Sequence, residues 1–153
     1  MDHEISSSQL SPGQIGWNWT SAIFDDGTEL MAYVMRREDG KTDPFSQLYL
    51  IDKESRLTSI SSENFSWEPI EYWKSDDTGG NYPIKYRIRW VDDNGDSDSI
   101  VVATPHPSQE LIGAIGDFAY WEGAGIAYDA SGKRVGQVYT ELTGYNKSLY
   151  GTF

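Results

Sequence analysis

The sequence predicts an all-β domain built from about eight to ten short antiparallel strands. Three observations favour this class. Apolar and polar residues alternate in short segments, turn signals separate those segments at regular intervals, and Trp, Tyr and Phe make up 14% of the chain. Aromatic side chains suit the half-buried surface of a sheet, and they can also line a ligand cavity. Alternation alone fits both a barrel and a sandwich.

The first predicted hairpin has the strongest local signal. The segment WNWTSAIF at 17–24 is followed by Asp-Asp-Gly at 25–27 and by TELMAYVMRR at 28–37. An Asp-Gly pair supplies the positive φ that a tight hairpin turn requires. A second turn, Glu-Asp-Gly at 38–40, ends that strand. The chain is therefore predicted to begin its sheet with two paired strands.

The remaining predicted strands follow in order along the chain. They are SQLYLID, NFSWEPIEYWK, YPIKYRIRWV, DSIVVA, FAYWEGAGIAY and RVGQVYTEL. The third of these alternates most regularly, with aromatic and aliphatic side chains on one face and cations on the other. Its two faces carry Tyr82, Ile84, Tyr86, Ile88 and Trp90, and Lys85, Arg87 and Arg89, respectively. No window predicts a long amphipathic helix.

Length and charge limit the classes of partner. A chain of 153 residues fits one domain with a sizeable core. Lys and Arg total 12 against 24 Asp and Glu, which gives a formal net charge of -12. Such a surface repels polyanions, so we expect neither nucleic acid nor anionic lipid as a partner. The chain has no cysteine, which excludes disulfides and thiolate chemistry.

The N-terminal segment differs in composition from the rest. Residues 1–16 are rich in Ser, Gly, Pro and Gln and are predicted to form a leader or linker before a barrel domain at 17–153. This segment lacks the basic start and apolar run of a secretory signal. No stretch approaches the roughly 18 consecutive apolar residues of a membrane-spanning helix. We therefore expect a soluble, cytoplasmic protein with no membrane span.

Carboxylates inside predicted strands are the candidate acids and bases. Glu122 shares a strand face with Tyr120, and Glu141 shares one with Tyr139. Glu110 stands at the start of another apparent strand. A carboxyl group in an apolar cavity can act as a general acid near neutral pH. The alternative is that each carboxylate pairs with an arginine, a tyrosine hydroxyl or a backbone amide, or points outward.

Large side chains that share strand faces are the candidate ligand-binding residues. They are Trp17 and Trp19, Met31 and Tyr33, and Trp67 and Trp73. Small eight-stranded barrels hold either their own side chains or one small ligand, so core packing and pocket lining both fit this pattern. His106 lies between two prolines and is predicted to be a loop residue. No cofactor and no metal site are predicted, because no motif with ligand spacing is present.

Several segments together resemble the C-terminal lipocalin-like domain of the carotenoid 1,2-hydratase (hydroxyneurosporene synthase) and AttH-like family. In chain order they are GWNWTSAIFDDGTELMAYVMRREDG, SWEPIEYWKSDDTGGNYPIKYRI, SQEL, YWEGAG and YTELTGY, within residues 16–146. The resemblance implies a lipocalin-like up-and-down barrel, the second of the two barrels in a typical full-length member. The motif positions that it carries are Trp17, Trp19, Gln109, Glu110, Tyr120, Trp121, Glu122, Glu141 and Tyr145.

The resemblance also implies a function. Related enzymes hydrate isolated or prenyl double bonds in hydrophobic substrates, and fungal relatives with this architecture act as Diels-Alderases on polyketide products. The expected function is thus hydration or cyclisation of a hydrophobic isoprenoid or polyketide-type molecule, with Glu122 or Glu141 as the general acid. Two alternatives stay open at this point. The barrel is a carrier without turnover, or it is filled by its own aromatic side chains and supports a partner barrel domain or a homo-oligomer.

Overall fold

The computed structural model describes residues 10–113 and 119–150, and within them it contains ten β-strands and no helix. The strands are β1 (Gln14–Phe24), β2 (Glu29–Arg37), β3 (Gln47–Ile51), β4 (Leu57–Ser61), β5 (Phe65–Lys74), β6 (Asn81–Val91), β7 (Ser97–Ala103), β8 (Glu110–Ile112), β9 (Ala119–Tyr128) and β10 (Arg134–Thr143). Across these ranges no helix is long and apolar enough to cross a membrane.

The strands form one antiparallel sheet in the order β4-β3-β2-β1-β10-β9-β7-β6-β5. The short β8 pairs with β9 as well, beyond the end of β7. Nearly every neighbour in the sheet is also a neighbour in sequence, and β10 pairs with β1 to join the last strand to the first. Ile60 of β4 and Phe65 of β5 belong to one buried core cluster. The predicted all-β, lipocalin-like up-and-down architecture is confirmed.

The hairpin turns define two ends of the barrel. The turns at 25–28, 52–56, 92–96 and 129–133 lie together at one end, here called the turn end. Gly27 at the first of these has a φ of 89°, the conformation predicted for its Asp-Gly pair. The opposite end, here called the terminal end, holds the entry into β1, the β5–β6 turn and the segment after β10.

One strand was not predicted, and the first strand begins earlier than predicted. The strand β4 escapes sequence analysis because only Ile60 among its five residues is buried, so no alternation appears. β1 begins at Gln14 rather than at Trp17, and its register with β2 shifts between Gln14 and Gly16. Residues 1–9, the larger part of the predicted leader, lie outside the described residues.

The inward face of β1 is polar and its outward face is aromatic. Asn18 and Thr20 are almost fully buried in the barrel, whereas Trp17 and Trp19 point outward and are only partly buried. Large side chains from the other strands also point into the interior. Trp121 and Tyr86 are each at most 2% exposed. The small polar side chains of β1 leave room for these rings, and Thr20 forms a hydrogen bond with the Tyr86 hydroxyl.

A buried hydrogen-bond cluster ties β1, β6 and β10 together across the barrel. The Tyr86 hydroxyl lies 2.6 Å from the Thr140 hydroxyl and 3.0 Å from that of Thr20. The Tyr86 ring stacks on Trp67 with a centroid separation of 4.1 Å. Burial raises the pKa of Tyr86, so the hydroxyl stays protonated and links the two threonines. Every polar group in this cluster has a partner, which suits a buried site.

We expect Tyr86→Phe to lower the free energy of unfolding by about 1–2 kcal/mol. The substitution removes the hydroxyl between Thr20 and Thr140 and keeps the ring that stacks on Trp67. Tyr49→Phe is the matched control, since Tyr49 lies on the outward face of β3. Urea unfolding monitored by fluorescence measures both. Equal unfolding free energies for the two variants would contradict a stabilising role of this cluster.

Candidate functional site

The candidate site residues fall on two sides of the sheet. One set points outward from the β2-β1-β10-β9 part of the barrel, and the other packs inside it near the terminal end. The outward set is Met31, Tyr33, Trp17, Trp19, Tyr120, Glu122 and Glu141. The inward set is Trp67, Trp73, Trp121 and Tyr145, with Gln109 and Glu110 beside it.

The outward set forms a continuous surface, here called the outer aromatic face. In the register of the sheet, Trp19 stands between Tyr33 on β2 and Glu141 on β10. Leu10 and Leu149, from the segments before β1 and after β10, pack with Trp17 and Tyr33 at one edge. The rest of the face stays accessible, and Tyr139 within it is 45% exposed. A partly covered apolar surface of this kind is typical of a binding wall.

Two carboxylates meet at the centre of the outer aromatic face. Glu122 of β9 and Glu141 of β10 are direct cross-strand partners. Side chains at such positions have Cβ atoms about 4.5–5.5 Å apart, and like charges there repel each other. Both side chains are half-buried. Antiparallel alternation therefore brings the two predicted acids into one site, although they are 19 residues apart in sequence.

Hydrogen-bond donors surround this carboxylate pair. The indole Nε1 of Trp17 donates to Glu141 Oε1 at 3.0 Å. Partial burial, and next the neighbouring Glu122 carboxylate, raise the pKa of Tyr139 to about 12. Burial and both carboxylates also raise the pKa of Tyr120. The two tyrosines thus remain neutral hydroxyl donors at physiological pH beside the two acids.

The inward set forms an aromatic cluster near the terminal end. Tyr82 lies at its centre, with ring centroids 6.2 Å from Trp73 and 5.5 Å from Tyr145. Trp121 is buried against these rings, and its Nε1 donates to the Pro107 carbonyl at 2.6 Å. These side chains pack on one another at the terminal end of the barrel.

Glu110 connects β8 to the β5–β6 turn. One of its oxygens accepts from the Ser75 hydroxyl at 2.5 Å. The other accepts from the hydroxyls of Thr78 at 2.5 Å and Tyr82 at 2.7 Å. Three hydroxyl donors converging on one carboxylate hold the turn against the aromatic cluster.

Gln109 has a similar role in the loop between β7 and β8, which also contains His106. Its Nε2 donates to the Thr104 hydroxyl at 2.9 Å, and its Oε1 accepts from the amide of Ala124 at 3.2 Å. The amide group lies against Gly123, where a Cβ atom would overlap it. Gly123, in the WEGAG segment, therefore allows this close approach. The sequence alone did not show that Gln109 is the residue that approaches it.

A cavity of about 610 Å³ opens at the turn end, away from both sets. Its walls are inward-facing apolar side chains, and its rim consists mostly of the acidic hairpin turns. The wall residues include Phe24, Leu50, Trp90, Ile100 and Val135. Sequence reasoning did not select them as ligand-binding residues. The one sequence observation that bears on this cavity is the alternation of β6, which places Trp90 on its apolar face.

Together, the fold and these sites define a lipocalin-like β-barrel protein with an acidic, aromatic outer wall and a cavity at the turn end. Among the residues described, no group of three or more His, Asp or Glu side chains is placed to hold a metal ion. A model of the AttH-like family matches residues 1–145. The chain therefore belongs to the AttH-like family, as the sequence resemblance predicted. No curated protein matches the chain.

The solved structures that are similar to this chain include the following two. A protein designated AttH from Nitrosomonas europaea is 32% identical, with a TM-score of 0.77 over 92% of this chain and 42% of that one. Kievitone hydratase from Nectria haematococca is 15% identical, with a TM-score of 0.64 over 88% of this chain and 40% of that one. The second likeness shows a common fold. The chain spans about two fifths of the length of both relatives.

Proposed function

We propose that the protein is a hydratase that adds water to a carbon–carbon double bond of an apolar, isoprenoid or polyketide-type molecule. The observation that carries the proposal is the direct pairing of Glu122 and Glu141 within an aromatic surface. Hydration of an alkene needs an acid and a base close together, and this pair supplies both. The fold shared with kievitone hydratase supports the same reaction class.

The chemistry divides between the two carboxyl groups. One, in its protonated form, transfers its proton to an alkene carbon, which breaks the π bond and leaves a carbocation on the neighbouring carbon. A water molecule then attacks that carbon and gives up a proton to the other carboxylate. The product has gained one water, and the pair has exchanged its protonation states. The faces of Trp17 and Trp19 stabilise the carbocation by cation–π attraction, worth about 2 kcal/mol when water is excluded.

Water exclusion requires a second surface over the outer aromatic face. We propose that a partner barrel covers it, either as another domain of the same polypeptide or as a second copy of the chain. The present barrel would then correspond to the C-terminal half of a two-barrel protein. The relatives' greater length supports this arrangement, since each is more than twice as long as the part that this chain matches. The partly exposed Tyr139 belongs to the surface that such a partner would bury.

A non-catalytic carrier is the second candidate function, and the cavity at the turn end favours it. A volume of about 610 Å³ lies within the range of small-molecule sites, and its walls are apolar. A carrier would bind its ligand there, far along the barrel from the carboxylate pair. The two candidates therefore predict different residues in contact with the ligand.

Product analysis distinguishes the candidates. The protein is incubated with a panel of polyenes and prenylated phenols, binding is followed by Trp fluorescence, and products are identified by mass spectrometry. A hydratase yields a product that has gained one water. Saturable binding with no product supports the carrier, and a product of unchanged mass supports cyclisation. Either of these results across the whole panel contradicts the hydratase proposal.

A further inference from the structure

At the terminal end of the barrel lies Arg36, a cation that pairs with no carboxylate of the described residues. Arg36 is on the inward side of β2, opposite Gly16 of β1. Its guanidinium carbon sits 3.5 Å from the centroid of the Tyr145 ring, and its Nη1 donates to the Thr143 carbonyl at 2.6 Å. A guanidinium group has five N–H donors, so this geometry leaves most of them available to a ligand.

No ion pair within residues 10–113 and 119–150 includes Arg36. Burial lowers the pKa of Arg36, and the opposing effects of Tyr145 and Tyr72 are smaller than the loss of hydration. Tyr145 does not supply the missing charge. Its burial raises its pKa to about 12, and its hydroxyl donates to Asn18 Oδ1 at 2.9 Å. A poorly hydrated cation without a counter-ion is unfavourable unless an anion joins it.

Aromatic rings surround this position. Tyr145 contacts Tyr82, which in turn stacks near Trp73. Tyr72, at the same end of β5, is 49% exposed and interacts electrostatically with Arg36. Arg36 and Tyr145 each keep part of their surface exposed to solvent. Flat rings and a planar guanidinium suit a flat ligand that carries a negative oxygen.

We propose that Arg36 and Tyr145 form a binding site for an anionic oxygen, a carboxylate or a phenolate, carried on an aromatic or similarly flat apolar molecule. Arg36 binds the oxygen through its free N–H groups, and the rings of Tyr145 and Tyr72 contact the apolar part. The site is independent of the hydration proposed above, because it lies on the inward side of the sheet. Glu122 and Glu141 point outward.

Matched pairs of small probes test the site in the wild-type protein. Cinnamate is compared with cinnamamide, and para-nitrophenolate with nitrobenzene, by calorimetry or by quenching of Trp fluorescence. We expect saturable binding of at least one anion, at least tenfold tighter than its neutral partner. The pair that shows the difference identifies the anion as carboxylate or phenolate. Equal affinities within both pairs, or no anion binding at all, would overturn the proposal.

Substitutions then locate the binding. Arg36→Met should weaken binding of the preferred anion at least tenfold, and Arg36→Lys should retain an intermediate affinity because it keeps the charge. Arg89→Met is the matched control, since Arg89 points outward from β6 and pairs loosely with Glu68 at 3.8 Å. Thermal unfolding checks that each variant is folded. If Arg36→Met does not fold, the affinity of Arg36→Lys alone tests the proposal. Unchanged affinity in Arg36→Lys and Arg36→Met, or an equal loss in Arg89→Met, would place the anion elsewhere.

Discussion

Glu122→Gln and Glu141→Gln are each expected to reduce the rate of hydration by a factor of about 10² to 10⁴, the usual contribution of a positioned acid or base. Each substitution keeps the size of the side chain and removes one proton-transfer group from the pair. One carboxyl group donates the proton and the other accepts one, so a complete reaction needs both groups. The double variant should therefore lose little more than either single variant. Initial rates of product formation, measured by mass spectrometry, give the factors.

Glu68→Gln is the matched control for these variants. Glu68 lies on β5, and its carboxylate interacts with Arg89 rather than with the outer aromatic face. The control should retain the wild-type rate, and all variants should keep the wild-type unfolding temperature within a few degrees. A hydration rate that survives in both Glu122→Gln and Glu141→Gln would remove these residues from the mechanism.

Gly144→Ala is expected to destabilise the protein by about 3–5 kcal/mol, which lowers the unfolding temperature by roughly 10 °C. Two effects add at this position. Gly144 has a φ of 70°, a conformation that costs an L-residue about 1–2 kcal/mol. A Cβ atom there would also overlap the carbonyl oxygen of Ile15, a backbone atom that cannot rotate away. The same carbonyl accepts a hydrogen bond from the amide of Leu149 at 3.1 Å.

Gly132→Ala separates the two effects. Gly132 has a similar φ of 83°, but no atom lies within 4 Å of its would-be Cβ. We expect this control to cost only about 1 kcal/mol, from backbone conformation alone. Differential scanning calorimetry compares the variants. Equal losses at both positions would mean that the chain after β10 does not pack tightly against β1.

The strands were largely predictable because each carries its own alternation. β6 illustrates this, since Tyr86 and Ile88 on its predicted apolar face are buried and Arg89 on the other face is exposed. β4 was not predictable, because its exposed residues at the edge of the sheet leave only Ile60 to mark it. The hairpin turns could also be predicted from the local sequence. Gly27 has the positive φ that its Asp-Gly pair required.

Which face of each strand points inward was harder to predict. Alternation places Trp17 and Trp19 on one face of β1, and apolar content suggests that this face is the core. In the structure Asn18 and Thr20 point inward instead. The reason is non-local: Tyr86 and Tyr145 reach across the barrel to bond these polar groups. No pattern within one strand records such partners, so the division of the candidate residues into two sets required the fold.

The pairing of the two acids could be predicted only in part. Each glutamate was selected because it is a carboxylate inside a predicted strand that shares a face with a tyrosine. That Glu122 and Glu141 stand directly opposite each other depends on the register between β9 and β10. The register follows from the turn at 129–133, whose exact geometry the sequence does not specify. Arg36 was not selected at all, because its contacts with the Tyr145 ring and the Thr143 carbonyl form only in the folded barrel.

Hydration in isotopically labelled water tests the central claim most directly, namely that the Glu122–Glu141 pair adds water to a double bond. The reaction is run with the wild-type protein and with the double Gln variant, and the label in the product alcohol is measured by mass spectrometry. We predict one labelled oxygen per product molecule for the wild type and for Glu68→Gln, and no product above background for the double variant. Labelled product formed equally well by the double variant would contradict the claim.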